Sequence, residues 1–374
     1  MGFAFPAGRR PERTGRVSPA SLLRRTPAPG DVASSLVADF RSTFTRTLPY
    51  RFVGELRACE LCGGDRHEVV GRRDRYGNRL RTVLCRGCGL VFTNPMPTDE
   101  EVDRFYERHY RNLYHGAYAP TPKAILKARR GALARYEDLR RFLPATGRVI
   151  DVGAGSGDFV HVLRSNGIAA EGIEPNRAFA AYARRTYRAP IHAGGWQDVS
   201  IPPESVDLVT ANHVLEHFRN PLAALWRMHS WLKTGGLLYV AVPDIENPDR
   251  TPYGRFHVAH LYNFNRASLV MMALRAGFAI DPASGRSTDL MLRKAPQPAS
   301  DWLIFPDNHE RLARFFSRFT NRRYFLSPTP YRRWVRRMAR LGGVMAAAQF
   351  RALPDAGTAG VAQGAAVDDE RKRG

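Results

Sequence analysis

The chain has 374 residues, 44% of them apolar, which is enough for one large domain with appendages or for two domains. No run of about 18 apolar residues occurs, so the sequence predicts no membrane-spanning helix. The formal net charge of +22 invites a nucleic-acid interpretation, but only five of the 57 basic residues are lysine, and such an arginine excess is also typical of a GC-rich genome.

Residues 1–50 are rich in Arg, Pro, Ser and Ala and contain only three acidic residues. This composition predicts a disordered basic leader. An organelle transit peptide is a second interpretation, whereas the continuous apolar core of a secretory signal is lacking.

All four cysteines lie in two C-x2-C pairs, Cys59 with Cys62 and Cys85 with Cys88, separated by 22 residues. This spacing predicts a zinc ribbon over residues 51–97, in which two tight turns supply four thiolates to one ion. Four thiolates fill a tetrahedral shell, so the expected zinc is structural. Two disulfides in a secreted protein are the competing interpretation. The knuckle spacing and the lack of a secretory signal favour a reducing compartment, and hence a cytoplasmic location.

Alternating strands and helices follow the predicted ribbon. Residues 98–145 are expected to form a helical linker or lid that ends in a basic amphipathic helix from Lys123 to Leu143. The predicted strands then end at Val152, Ile173, Thr210 and Val242. The predicted helices are 158–166, 178–186, 221–232 and 268–278, and 287–294 is expected to close the sheet. This order is typical of a doubly wound, mainly parallel α/β sheet over 146–295, whose ligands bind beyond the carboxyl ends of the strands.

The first of these strands ends in three alternating glycines, within the sequence R-V-I-D-V-G-A-G-S-G-D-F at 148–159. Glycine permits a sharp turn and a close ligand approach, with the first helical N–H groups facing the ligand. A dinucleotide fingerprint requires a sixth-position glycine, where this chain has Asp158. Asp151, before the turn, would repel a pyrophosphate but suits a cationic ligand.

At this turn the chain resembles the class I S-adenosylmethionine-dependent methyltransferases, and the block V-D-L-V-T-A-N-H-V-L-E-H-F-R-N-P at 206–221 is a second match. The resemblance implies a Rossmann-like sheet and S-adenosylmethionine as cofactor. The cofactor-binding residues it implies are Asp151, Gly153, Ala154, Gly155, Gly157, Glu174, Trp196, Gln197 and Asn212. Glu174 would accept the ribose hydroxyl hydrogens. Trp196 would stack on the adenine and either Gln197 or Asp198 would bond its amino group, although the family more often has an acid plus a small residue there.

Three histidines are candidates for the general base, namely His213, His217 and His260. Glu216 and His217 could instead brace the following helix. His260 matches a histidine of sugar C-methyltransferases, but Ala259 stands where their glutamate would be, and the chain is too short for their further domain. These departures favour O- or N-methylation of a sugar, polysaccharide or other small metabolite.

Two other functions remain open. An RNA methyltransferase would use the zinc ribbon and the arginines as a nucleic-acid platform, and a cofactor-binding protein without catalysis would need no base.

Beyond Pro296 aromatic residues alternate with arginines, which predicts a basic, aromatic helical extension over 296–374 with a disordered tail. A helical appendage that packs its aromatic side chains against the core is the favoured interpretation. An amphipathic helix lying on an anionic membrane, as a peripheral contact, is the other.

Overall fold

The computed structural model describes residues 52–105, 121–248, 250–252, 254–285, 287–295, 305–336 and 338–339. The predicted leader, residues 106–120 of the predicted lid and most of the predicted tail lie outside the described residues. The chain divides into two compact units, the first ending at Tyr324 and the second beginning at Phe325. No helix among the described residues is both long enough and apolar enough to cross a bilayer.

Strands and helices succeed one another through the described part of the chain. The strands are β1 (His67–Arg73), β2 (Arg79–Cys85), β3 (Val91–Thr93), β4 (Arg148–Val152), β5 (Ala169–Glu174), β6 (Ile191–Ala193), β7 (Val206–Asn212), β8 (Leu232–Ala241), β9 (Tyr262–Asn263), β10 (Phe278–Ile280) and β11 (Asp289–Lys294). The helices are α1 (Asp99–Phe105), α2 (Pro122–Leu139), α3 (Asp158–Ser165), α4 (Arg177–Tyr187), α5 (Pro221–Trp231), α6 (Arg266–Arg275), α7 (Asn308–Arg318) and α8 (Asn321–Phe325). Short 3-10 helices lie at Arg140–Phe142 and Leu215–His217.

The larger sheet has the strand order β10-β11-β8-β7-β4-β5-β6. Strands β8, β7, β4, β5 and β6 are parallel, and β10 and β11 add antiparallel pairs at one edge. From β4 the chain moves outward to β5 and β6, and it then returns to the other side of β4 at β7. The order therefore reverses between β4 and β7, whose carboxyl ends border the crevice where such sheets bind ligands. The predicted doubly wound α/β fold is confirmed.

Two of the differences between predicted and observed boundaries have a clear local cause. Leu232, predicted to end a helix, begins β8, because its extended backbone pairs with Val206. Helix α6 ends at Arg275 rather than at Phe278, because Gly277 has a φ of +89° and turns the chain into β10.

Strand β4 is covered on both faces, which explains its nearly continuous apolar sequence. Val149 packs in a cluster with Phe159 of α3, while Ile150 packs on the other face with Trp231 of α5. This burial fixes the end of β4, and with it the glycine turn that follows.

The smaller sheet is antiparallel, with the order β1-β2-β3-β9. Strands β1 to β3 come from the predicted ribbon segment, whereas β9 belongs to the loop that follows β8. Val91 pairs with Asn263 and Phe92 pairs with Tyr262. The predicted ribbon is therefore joined to the larger domain through a shared sheet.

Helix α7 lies against the smaller sheet. Leu312 is buried in a cluster with Leu80 and Leu84 of β2. The buried guanidinium of Arg255 lies 4.6 Å from the ring centroids of both Phe315 and Phe319. This part of the predicted extension packs its aromatic side chains against the core.

Candidate active site

The three glycines of the turn after β4 have different surroundings. All three have positive φ, at +76° for Gly153, +58° for Gly155 and +77° for Gly157. A Cβ at Gly153 would lie 2.8 Å from the methyl groups of Val214, and one at Gly157 would lie 2.5 Å from the Cβ of Ala183. A Cβ at Gly155 would meet nothing within 4 Å. Gly153 and Gly157 thus serve close packing, and Gly155 faces open space.

Glu174 ties this turn to the end of β5. Its side chain is buried, its Oε2 accepts from the N–H of Gly155 at 2.8 Å, and its Oε1 accepts from the N–H of Asn176 at 2.9 Å. Each carboxylate oxygen is therefore oriented by a backbone donor. The carboxylate lies beside the one glycine of the turn that opens to space.

Asp151 is buried at the end of β4. Its Oδ1 accepts from the hydroxyl of Thr210 at 2.7 Å and lies 3.3 Å from the guanidinium of Arg135 on α2. Burial raises the pKa of the Asp151 carboxyl and the charge of Glu174 adds to this, while Arg135 and Thr210 act in the opposite direction. Asp151 thus has a cationic neighbour within the protein, the Arg135 guanidinium, whereas the sequence analysis expected a cationic ligand there. The sequence analysis did not single out Arg135, whose signal was the basic character of the 123–143 helix.

Asp158, at the position that excluded a dinucleotide fingerprint, is held by protein groups. It accepts from the Ser156 hydroxyl at 2.5 Å and from the Tyr187 hydroxyl at 2.8 Å, and the Arg129 guanidinium lies 3.8 Å away. Burial raises the pKa of its carboxyl, and these partners oppose that rise. Asp158 therefore fastens the start of α3 to α4.

The residues expected at the adenine follow β6. Trp196 is partly buried, with its ring centroid 6.0 Å from that of Phe218. Gln197 is exposed, and Asp198 accepts from the N–H of Gly195 at 2.7 Å. Asn212, half-buried, ends β7 at the reversal of strand order.

The candidate bases lie around Glu216. His213 has a φ of +55° and a side chain that is 58% exposed, and its Nδ1 is 3.7 Å from Glu216 Oε1. His217 Nε2 is also 3.7 Å from Glu216 Oε1, and the ring centroid of His217 lies 4.9 Å from that of His260. Burial lowers the pKa of His260 well below its ordinary value, with His217 and His257 acting in the same direction. The structure thus brings all three candidates together, with His213 at the surface and His260 buried.

The ribbon segment collects the four cysteines, whose Sγ atoms all lie within 4.8 Å of one another. The Sγ–Sγ distance is 3.5 Å for Cys59 and Cys88, and 3.4 Å for Cys62 and Cys85. Both distances exceed the S–S bond of about 2.05 Å in a disulfide. They are close to the separation of about 3.8 Å expected for two thiolates on a tetrahedral zinc ion. All four thiols are free. A metal site requires free thiols, whereas the alternative of two disulfides would leave none.

The two cysteine turns repeat one hydrogen-bond pattern. The N–H of Gly63 donates to the carbonyl of Cys59, and the N–H of Gly89 donates to the carbonyl of Cys85. Both glycines have positive φ, at +74° and +76°. The paired turns therefore have the geometry of two knuckles aimed at one centre.

Comparisons with known proteins find similarity in the part of the chain that forms the larger sheet. Residues 126–283 match the family model for a methyltransferase domain. Over 141 residues the chain is 28% identical to a protein of Mycolicibacterium smegmatis named as a probable S-adenosylmethionine-dependent methyltransferase. That match covers 37% of this chain and 54% of the relative, so the chain spans about half the length of that relative.

Solved structures with similarity to the chain include two further S-adenosylmethionine-dependent methyltransferases. The one from Methanosarcina mazei is 17% identical, with 43% of this chain and 98% of that chain covered and a TM-score of 0.36. The one from Thermotoga maritima, described as a possible histamine N-methyltransferase, is 21% identical, with 52% and 93% covered and a TM-score of 0.36. Residues 126–283 therefore resemble a methyltransferase domain, and they contribute most strands of the doubly wound, mainly parallel sheet.

Proposed function

We propose that the whole protein is a class I S-adenosylmethionine-dependent methyltransferase that methylates an oxygen or nitrogen of a sugar, a polysaccharide or another small metabolite. One observation carries the cofactor part of this proposal. The turn after β4, which borders the crevice between β4 and β7, opens to space at Gly155 alone of its three glycines, and the oriented carboxylate of Glu174 lies beside that opening at the end of β5.

The residues around the opening fit the parts of S-adenosylmethionine. Glu174 would accept hydrogen bonds from the two ribose hydroxyls, since the backbone N–H groups of Gly155 and Asn176 hold its carboxylate beside the opening. Asp151 would face the ligand's amino group, and Arg135 its carboxylate. Trp196 and Gln197 would contact the adenine, and Asn212 would close the crevice from β7. Gly153, Ala154 and Gly157 would shape the backbone around the ligand.

When bound, S-adenosylmethionine supplies an electrophilic methyl group on a sulfonium. The protein's share of catalysis would be to position the acceptor in line with that methyl group and to take the proton which the acceptor loses. We assign the proton to His213, because its imidazole is exposed and Glu216 lies 3.7 Å from its Nδ1. His217 and His260 lie behind it and are largely buried.

We propose in addition that Cys59, Cys62, Cys85 and Cys88 bind one structural zinc ion. The Sγ–Sγ distances and the repeated turn geometry support it. The ion would leave no open position for substrate.

The second unit supplies a candidate membrane contact. Residues 329–336 are helical, and Tyr331, Trp334, Val335 and Met338 are exposed at helical spacing. No acidic residue occurs between Glu310 and Asp355 in the sequence, while this stretch is rich in arginine. The combination of an apolar stripe with arginines fits an anionic lipid surface.

Calorimetric titration of the purified protein with S-adenosylhomocysteine tests the central proposal. We expect one binding site per chain. A folded protein that releases no heat and shows no ligand-induced thermal stabilisation would remove the basis for an enzyme of this class. If the labelled methyl group is transferred to RNA rather than to glycans or small metabolites of a cell extract, the proposed acceptor class is wrong and the acceptor is RNA.

A further inference from the structure

Glu216, His217 and His260 form a compact side-chain cluster at the carboxyl end of β7. Glu216 and His217 belong to the 3-10 helix Leu215–His217, and His260 comes from the loop before β9. Glu216 is 1% exposed and His260 is 6% exposed. One potential ligand atom from each residue lies within 4.8 Å of the other two. The cluster is therefore a largely buried site with one carboxylate and two imidazoles.

The orientation of His217 is set by the backbone. Its Nδ1 lies 2.8 Å from the carbonyl oxygen of Ala259. A carbonyl oxygen only accepts hydrogen bonds, so this contact places a proton on Nδ1. In the neutral ring Nε2 then presents its lone pair, and this atom lies 3.7 Å from Glu216 Oε1. Donation of one ring N–H to a backbone carbonyl is also how metal-binding histidines are commonly held.

Glu216 has acceptor capacity that the described residues do not use. Its Oε2 is buried and has no hydrogen-bond partner among them. Its Oε1 lies 3.7 Å from the nearest nitrogen of both His213 and His217, which is beyond hydrogen-bonding distance. A buried carboxylate is costly unless a cation or several donors balance it.

The spacing suits a cation between these atoms. Two ligands with bonds of about 2.1 Å to one ion lie about 3.0–3.6 Å apart. The 3.7 Å between Glu216 Oε1 and His217 Nε2 is close to that range. Small rotations of the imidazoles would bring the remaining separations, which reach at most 4.8 Å, into it.

We propose that Glu216, His217 and His260 bind one divalent first-row transition cation, separately from the four cysteines. Two imidazoles and a carboxylate suit such ions and leave coordination positions open for water or an acceptor oxygen. A role in holding the methyl acceptor rests on the proposed methyltransferase function. Cation binding itself does not.

Cobalt(II) titration of the zinc-loaded protein provides the test, because the cysteine site is then filled. We expect one equivalent of Co²⁺ to bind with weak visible bands typical of nitrogen and oxygen ligands, and without the intense thiolate charge-transfer band. Glu216→Gln and His260→Gln should each weaken binding by at least about 100-fold, since second-shell changes alone cost 10–100-fold. The exposed pair Glu171 and His192, whose Oε2 and Nε2 are 2.9 Å apart, provides the matched controls Glu171→Gln and His192→Gln.

Unchanged Co²⁺ affinity in a folded Glu216→Gln or His260→Gln protein would overturn the proposal. Failure of the wild-type protein to bind Co²⁺ beyond the cysteine site would overturn it as well. Should one variant fail to fold, the other carries the test. Calorimetry with S-adenosylhomocysteine on the same samples reports the cofactor site separately, so the two proposals fail independently.

Discussion

Glu174 offers the sharpest test of the cofactor site, through the substitution Glu174→Gln. The carboxylate already accepts from two backbone N–H groups, at 2.8 and 2.9 Å. Glutamine has one acceptor oxygen, so its NH2 group would face one of these donors and one ribose hydroxyl. A hydrogen bond to a charged group contributes about 1.5–3 kcal/mol. Loss of one such bond and weakening of the other give about 3 kcal/mol, or a roughly 100-fold increase in the Kd for S-adenosylhomocysteine.

Isothermal titration calorimetry measures this change, with thermal unfolding as the check on folding. Glu171→Gln is the control, because Glu171 lies on the same strand but on its opposite face, where it pairs with Arg148 and His192. We expect the control to bind S-adenosylhomocysteine as the wild type does. A folded Glu174→Gln protein that binds within about twofold of the wild type would refute the assigned role, since about 0.4 kcal/mol is too little for one charge-assisted bond.

Substitutions at five further positions test other parts of the molecule. Gly155→Ala should abolish binding of S-adenosylhomocysteine, and its positive φ should cost about 1–2 kcal/mol of stability. Gly157→Ala should lower the melting temperature more than Gly155→Ala does, because its Cβ would lie 2.5 Å from that of Ala183. His213→Gly should reduce transfer of labelled methyl groups to a cell extract by about 10²–10⁴-fold, and it should be about 1 kcal/mol more stable than His213→Ala because glycine accepts a φ of +55°. Cys59→Ser should lower the zinc content, measured by atomic absorption, from about one ion per chain to near zero. Trp334→Ser should reduce sedimentation with vesicles that contain anionic lipid.

Each of these predictions has a result that would contradict it, and the tryptophan substitution has a matched control. Equal loss of ligand binding in both glycine variants would contradict the distinction between them, and retention of methyl transfer by His213→Gly would exclude His213 as the base. Zinc that stays bound in Cys59→Ser would place the ion elsewhere. Trp226→Ser is the match for Trp334→Ser, since Trp226 is 51% exposed in the first unit. Equal vesicle binding by both tryptophan variants would contradict the membrane contact.

Local patterns predicted the parts of the fold that local forces decide. The β-branched residues of β4, the glycines after it and the strand that leads to Glu174 are all short-range signals, and the structure has Glu174 as the last residue of β5. The reason why each glycine is needed was predicted less accurately, because the sequence analysis expected a sharp turn and a close ligand approach. Contacts with Val214 and Ala183, which require glycine at 153 and 157, depend on how the 214 segment and α4 pack, and no local pattern reports that packing.

Contacts between residues that are distant in the sequence could not be predicted from the sequence. Arg135 meets Asp151 only because α2 lies against α3 and the end of β4. His260 reaches His217 only because the loop before β9 is held by pairing with β3. In each case both residues carry recognisable chemistry, but their proximity follows from tertiary packing rather than from spacing along the chain.

The pairing of β3 with β9 has a consequence for how this protein could be divided or recombined. Tyr262 is buried, stacks near Phe92 and lies two residues after His260. A fragment that begins after the ribbon would leave the edge of β9 and this ring without their partner strand, beside the histidine cluster. Exchange of the loop between β8 and β9 with that of a similar protein should therefore succeed only when the cysteine-bearing segment is transferred with it. The two form one transferable module despite their distance in the sequence.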